Sequence, residues 1–159
     1  DDDSFVVLQR LAELVSGFDP LSKMYVGKHD CAGWSCNDPT VECRRQPMVT
    51  GGSHPGWACG GPGVLISRPL AESMVQSQCT EYYGRTPAPV PAGDIALACC
   101  ASDAWEGYHV TNSKLLSFEN FTATMEPGQP RGPMVALHHL APETTLELGR
   151  RYNSRLADS

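Results

Sequence analysis

The sequence lacks a long apolar run, a surplus of basic residues and a paired-cysteine motif, and each absence excludes a class of protein. No stretch reaches the roughly eighteen consecutive apolar residues that a membrane-spanning helix needs. Acidic residues outnumber basic ones, 18 to 12, and the net charge of −6 supplies no basic face for a nucleic acid. No Cys-x-x-Cys pair or finger-spaced histidine is available to hold structural zinc.

Cysteine is nevertheless abundant, with seven residues in a chain of 159. Three of the seven lie within residues 28–50, where apolar periodicity disappears and prolines occur, so this segment is predicted to be a Cys-rich loop insertion held by disulfides. The loop is either a lid that contacts an acceptor or a variable surface insertion. Disulfides and the glycosylation triplet at Asn120 indicate an oxidising lumen. An odd cysteine count leaves at least one cysteine unpaired within the chain.

Apolar spacing near the start of the chain indicates a helix followed by a strand. Over residues 5–15 the apolar side chains recur at intervals of three and four, as on one face of an amphipathic helix. Gly17 and Pro20 end that helix, and residues 24–27 are typical of a short strand. This alternation predicts an α/β fold in a single domain covering residues 1–159, with ligands bound at a sheet edge.

A glycine-rich stretch follows the cysteine-rich segment. Gly60, Gly61 and Gly63 allow another group to approach the backbone closely, and they form either a substrate-contacting loop or a tight turn. The stretch matches neither the dinucleotide fingerprint nor the P-loop. Trp57 just before it offers a stacking surface for a sugar, with a buried core tryptophan as the alternative. Pro69 then starts a second helix that is predicted to run to about Cys79.

Two further segments carry ionisable side chains next to apolar runs. Asp94 precedes an apolar helix predicted from residue 95, where it either performs chemistry or caps the helix. His138 and His139 lie in a predicted strand over residues 134–140. Adjacent strand side chains face opposite ways, so only one histidine can point into a given site, and a hydrogen-bonded core histidine is the alternative.

The first three residues, Asp1, Asp2 and Asp3, are adjacent carboxylates that repel one another. In Asp-x-Asp spacing the two outer side chains can serve one divalent cation, which bridges the phosphates of a nucleotide sugar. A solvated acidic terminus is the alternative for such a triplet.

Read in order, five segments resemble the second half of the catalytic domain of the fringe and core-1 galactosyltransferase-like β-1,3-glycosyltransferases. They are residues 1–6, 24–28, 60–68, 93–95 and 135–140. The resemblance extends over almost the whole chain in order and approximate spacing. It implies a GT-A fold, an α/β sandwich around a mixed sheet, represented here by the half after the Asp-x-Asp motif. A truncated, partial domain is therefore expected.

The resemblance also assigns roles. Asp3 coordinates a manganese ion, Asp1 meets the ribose or reaches the metal through water, and Asp2 lies between them in the same nucleotide-binding motif. Asp94 is the general base that takes a proton from the acceptor hydroxyl as it attacks the anomeric carbon. The attack comes from the face opposite the leaving nucleotide, so configuration is inverted.

The third metal ligand is not at the place the resemblance suggests. The fringe branch has a Phe-His-x-His stretch near residues 116–120, which this chain lacks, so His138 or His139 would have to replace it. The family pattern also pairs Cys79 with Cys99 or Cys100.

These observations together favour a metal-dependent, inverting β-1,3-glycosyltransferase that uses a UDP-sugar and a glycan or glycoprotein acceptor. The resemblance places it in the Golgi lumen as part of a type II membrane protein whose N-terminal anchor is missing from this sequence. Two alternatives come from other classes. One is a non-catalytic remnant or sugar-binding module of the same fold, and the other is a disulfide-stabilised secreted protein whose acidic terminus binds calcium.

Overall fold

The computed structural model describes residues 5–29, 43, 44, 56–85, 90, 92–113, 115–117, 136, 137, 143, 146 and 148–150. These stretches form six short strands and four helices. In chain order they are β1 (Phe5–Val6), α1 (Leu8–Ser16), β2 (Tyr25–Lys28), β3 (Cys59–Ile66), α2 (Arg68–Gln76), α3 (Cys79–Tyr83), α4 (Gly93–Ala104), β4 (Thr111–Asn112), β5 (Leu116–Ser117) and β6 (Ala136–Leu137).

The strands form two small sheets, and each sheet is mixed. In one, β2 lies between β3, which is antiparallel to it, and β4, which is parallel. In the other, β6 lies between antiparallel β1 and parallel β5. The predicted mixed α/β content is therefore confirmed.

The predicted helix over residues 5–15 begins later than its apolar spacing indicated. Residues Phe5–Val6 form β1, which pairs with β6, and the helix runs Leu8–Ser16 with Gly17 as its C-cap. The prediction was wrong for the first residues because pairing with a distant strand satisfies their backbone groups, and β-branched and aromatic residues suit a strand. The end of the helix at Gly17 is confirmed.

The second predicted helix is divided in two. α2 starts at Arg68 with Pro69 in its first turn, as expected, but it ends at Gln76. Gln78 then adopts a left-handed backbone with φ of 57°, and α3 starts at Cys79. Because Gln78 is neither glycine nor asparagine, the sequence carries no signal for this break.

The main core lies between the sheet that contains β2 and the helices α2, α3 and α4. Tyr25 and Leu70 are among its largest fully buried side chains. Small residues along α4, such as Ala98 and Ala101, are fully buried and let α2 and α3 pack closely against it. None of the helices in the described stretches combines the length and apolarity required to cross a bilayer.

Gly27 on β2 lies closer to Ala58, the residue just before β3, than a residue with a β-carbon could. A β-carbon at this position would overlap the Ala58 side chain, which is itself fully buried. The packed core on the far side of Ala58 leaves little room for it to move.

We expect Gly27→Ala to destabilise the protein by about 1–3 kcal/mol, the usual cost of overpacking a dense interior. For a chain of this size each kcal/mol lowers Tm by about 2–4 °C. Differential scanning calorimetry would measure the shift. The matched control is Gly17→Ala, whose β-carbon would approach only the Leu14 carbonyl oxygen, at 3.7 Å. Equal Tm values for the two variants would contradict the packing argument.

Three core tyrosines, Tyr25, Tyr83 and Tyr108, predict a loss of stability at alkaline pH. Burial is the main cause that raises the pKa of each, and it raises that of Tyr83 to about 12. In the unfolded chain a tyrosine ionises near pH 10, so above that pH the unfolded state binds fewer protons than the folded state. The stability contributed by these groups is therefore complete below about pH 10 and falls as pH rises.

Urea unfolding measured from pH 8 to 11.5 should show this decrease, at about 1.4 kcal/mol per pH unit for each tyrosine ionised only in the unfolded chain. Tyr83→Phe should reduce the slope of the unfolding free energy against pH by the contribution of one tyrosine, because phenylalanine does not ionise. An unfolding free energy that does not change across this range would contradict the prediction.

Candidate functional site

Asp94 lies in the first turn of α4, one residue beyond the start of the helix. The N-cap is Ala92, which makes no side-chain capping bond. Asp94 Oδ1 accepts a hydrogen bond from the Ile95 backbone N–H at 2.9 Å. Asp94 therefore does not occupy the cap position, although a carboxylate in the first turn interacts favourably with the helix dipole.

The glycine-rich stretch belongs to β3 but bulges out of its pairing with β2. Gly27 pairs with Val64. The next residue, Lys28, pairs with Cys59. Residues 60–63, between these two partners, consequently leave the ladder as an enlarged bulge. The predicted glycine loop is thus an excursion within a strand rather than a connection between elements.

This bulge meets Asp94 directly. The Gly60 backbone N–H donates to Asp94 Oδ2 at 3.3 Å. A β-carbon at position 60 would lie only 3.3 Å from the Asp94 β-carbon, a tight contact that would push the Asp94 side chain by a few tenths of an ångström. Gly63 completes the bulge with φ of +93°, a conformation that favours glycine. The structure thus brings together Gly60 and Asp94, which the sequence singled out separately, and places Gly61 and Gly63 in the same bulge.

Trp57 is part of the core. It is only 7% exposed, and Ala58 after it is fully buried. The carbonyl of Gly56 accepts a hydrogen bond from the Tyr108 hydroxyl at 2.9 Å, which anchors the start of this segment. The environment of Trp57 is that of the core alternative, and its role in stacking on a sugar stays a prediction.

Tyr25 is the residue near Asp94 that the sequence analysis missed. Its side chain is fully buried, and within the described part of the chain its hydroxyl has no hydrogen-bond partner. Burial raises the pKa of Tyr25 and the negative charge of Asp94 raises it further, whereas the nearby Ala58 backbone N–H, too poorly placed for a full hydrogen bond to the hydroxyl, lowers it. A tyrosine at the start of a strand, next to apolar residues, was the available signal, because a buried hydroxyl needs a partner.

Two disulfides hold α4 to the rest of the core. Cys43 is bonded to Cys99, and Cys79 at the start of α3 is bonded to Cys100. One of the two pairings that the family pattern suggested, Cys79 with Cys100, is confirmed. Cys59 at the start of β3 is also disulfide-bonded. The segment before the bulge and the helix that carries Asp94 are therefore both covalently restrained.

An ion pair between a partly exposed arginine and a buried carboxylate fixes the far end of α4. The Asp103 side chain is fully buried, and its Oδ2 lies 3.2 Å from Arg44 Nε. The Tyr83 hydroxyl donates to the same oxygen at 3.1 Å and accepts from the Arg44 backbone N–H at 2.7 Å. Removing one partner of such a network leaves a buried charge without compensation, so α4 has little freedom to shift.

The expected metal ligands fall outside the described residues. These are Asp1, Asp3, His138 and His139, and Asp2 of the same nucleotide-binding motif lies outside them as well. Their assignment as cation and nucleotide ligands stays a prediction. In the part of the chain that the structure covers, no group of three or more histidine, cysteine or acidic side chains could hold a metal ion.

Comparison with known families gives a match over most of the chain. The family model described as Fringe-like matches residues 1–129, which include β1 to β5 and the contact between Gly60 and Asp94. A search of curated proteins found no match. Since the family model covers well over half of the sequence, the fringe-like resemblance is confirmed, with four of its five segments inside the match and residues 135–140 beyond it. The chain belongs to the Fringe-like family of glycosyltransferases, and this family implies a sugar donor and an acceptor as its partners.

Proposed function

We propose that the protein is a metal-dependent, inverting β-1,3-glycosyltransferase with a GT-A fold. It transfers a hexose or N-acetylhexosamine from a UDP-sugar to a glycan or glycoprotein acceptor. The observation that carries the proposal is the hydrogen bond from Gly60 N–H to Asp94, within a region matched by the Fringe-like family model. This bond joins the bulge of residues 60–63, whose glycine backbone another group can approach closely, to a carboxylate of fixed orientation.

Asp94 is the general base in this proposal. Each of its oxygens accepts a backbone N–H, from Ile95 and from Gly60, so the carboxylate is aimed rather than free to rotate. A carboxylate has about four lone-pair sites, and two bonds leave capacity for an acceptor hydroxyl. Because a carboxylate is a weak base for an alcohol, the proton transfers late, as the bond from the anomeric carbon to the leaving UDP breaks.

The acidic triplet and one histidine serve the donor. Asp3, with Asp1 through water or the ribose, and His138 or His139 would hold a divalent cation, most suitably Mn²⁺. When bound, the cation neutralises charge on the departing diphosphate. Asp2 lies between these two ligands, and the glycines of the bulge approach the sugar. Family membership supports the assignments of the acidic triplet and the glycines, which lie inside the matched residues, and the order of the motifs supports the histidines.

The proposed location is the Golgi lumen, as part of a type II membrane protein. The disulfides from Cys43 to Cys99 and from Cys79 to Cys100 support an oxidising compartment. The glycosylation triplet at Asn120 agrees with passage through the secretory pathway.

We expect Asp94→Asn to preserve folding and donor binding and to lower transfer by about 10²–10⁴-fold, the usual contribution of a general base. UDP release from UDP-galactose and UDP-N-acetylglucosamine would be measured with an acceptor panel, and folding by circular dichroism. The matched control is Asp19→Asn. Asp19 is an exposed aspartate that likewise accepts a backbone N–H, from Leu21 at 2.9 Å. Wild-type turnover by Asp94→Asn would reassign Asp94 to a structural role at the start of α4.

We expect UDP binding to require manganese and to weaken sharply on Asp3→Ala, because the carboxylate holds the ion that holds the diphosphate. Isothermal titration calorimetry with UDP, with and without Mn²⁺, would measure both effects. Asp19→Ala serves as the control for a lost surface carboxylate. If UDP affinity is the same with and without manganese, metal dependence is rejected and the sugar-binding alternative gains.

A further inference from the structure

An apolar cavity of about 280 Å³ lies where the end of α1 and the segment after it meet the sheet of β2 and β3. Seven of the nine described residues that line it are apolar, among them Val15, Val26 and Leu65. Tyr25, the neighbour of Val26 on β2, packs in the main core together with α4. Because adjacent strand side chains face opposite ways, the cavity lies on the face of β2 that points away from that core and from the helix that carries Asp94.

Leu21 projects into solvent beside this cavity. It is 83% exposed, the largest fraction among the large apolar side chains of the described residues. Pro20 before it and Met24 after it both line the cavity. The turn that presents Leu21 is closed by two hydrogen bonds, because the Ser22 N–H and the Ser22 hydroxyl donate to the Asp19 carbonyl at 3.2 and 2.9 Å. One face of the protein therefore carries a projecting apolar side chain and an apolar cavity next to it.

We propose that this face binds a second copy of the chain in a two-fold symmetric dimer, in which Leu21 of each copy enters the cavity of the other. In a two-fold interface the same surface of both copies takes part, so it must match itself. A face with both the inserted side chain and the cavity meets this requirement. Since a cavity of about 150 Å³ can hold benzene, one of about 280 Å³ has room for a leucine side chain.

The charges at the rim of the cavity also match themselves. Arg68 lines the rim, and its Nε lies 2.7 Å from Glu72 Oε1. Both side chains are well exposed, at 87% and 54%. An exposed pair of this kind contributes little to stability, so either side chain can exchange its partner at small cost. In the dimer, Arg68 of one copy pairs with Glu72 of the other, and this contact occurs twice.

The first test is sedimentation equilibrium of the full chain across micromolar concentrations. The mass of the unsubstituted protein should rise from the 17.2 kDa of one chain toward twice that value. We expect Leu21→Asp to weaken association by about 100-fold or more, because burying one leucine is worth about tenfold or more and each copy contributes one. The matched control is Leu146→Asp, whose side chain is 62% exposed and is not part of the lining. It should associate normally, and circular dichroism should show the same secondary structure for all three proteins.

The second test exchanges the charges at the rim. Arg68→Glu leaves two acidic side chains on this face and Glu72→Arg leaves two basic ones, so each variant alone should dissociate through like-charge repulsion. An equimolar mixture brings acidic side chains opposite basic ones and should recover association. Mixing would not repair a folding defect in either variant, so recovery identifies a contact between two copies.

The inference is overturned by a mass of one chain at every concentration, which would leave this face to a different partner. Normal association by Leu21→Asp would overturn it as well, and so would a mixture of charge variants that fails to associate. An equal loss in Leu21→Asp and Leu146→Asp would show that the contact does not depend on this face. The dimer does not rest on the proposed function, because the cavity points away from the core in which α4 packs. UDP release by Leu21→Asp should therefore equal that of the unsubstituted protein.

Discussion

The hydrogen bond between Gly60 and Asp94 is the contact on which the candidate site depends. It joins β3 to the first turn of α4, at the place where β3 leaves its pairing with β2 for residues 60–63. β3 is an edge strand of its sheet, so only every second N–H along a regular course would face β2. The bulge brings the Gly60 N–H to the carboxylate of Asp94.

Two disulfides and an ion pair fix the position of α4. Because the helix is held in place, the single hydrogen bond from Gly60 can help to orient Asp94. The adjacent cysteines Cys99 and Cys100 hold the middle of the helix through separate disulfides. The ion pair of Arg44 with the buried Asp103 carboxylate fixes its C-terminal part. Since a hydrogen bond of 3.3 Å is weak by itself, the orientation of Asp94 is set mainly by the helix, and Gly60 refines it.

Local patterns in the sequence predicted the helices that depend on interactions over a few residues. The amphipathic spacing before Gly17, the proline that opens α2 and the apolar run of α4 each predicted a helix, because side-chain periodicity and caps act over a few residues. The glycines and Asp94 were recognised as candidates for the same reason. Their contact was not predicted, because the register shift between β2 and β3 depends on pairing between segments far apart in the chain.

The elements that were not predicted from the sequence also depend on contacts between segments far apart in the chain. β1 forms at Phe5–Val6 because β6 lies beside it, and the left-handed turn at Gln78 is held by the packing of α2 and α3 against α4. Tyr25 was passed over for a related reason. A strand pattern reports which face a side chain is on, but whether a buried hydroxyl finds a partner depends on the tertiary contacts around it.

The way Asp94 is held distinguishes it from the other carboxylate of α4. The Asp103 Oδ2 atom is bound by the Arg44 guanidinium and the Tyr83 hydroxyl, so this oxygen is not available to a further donor. Asp94 makes no ion pair within the described residues, and both of its bonds come from neutral backbone N–H groups. A permanent cationic partner would block the lone pairs that the proposed acceptor hydroxyl must reach, whereas one backbone N–H on each oxygen leaves further lone pairs for it. One helix thus carries a carboxylate that stabilises the fold and a second whose surroundings suit the proposed proton transfer.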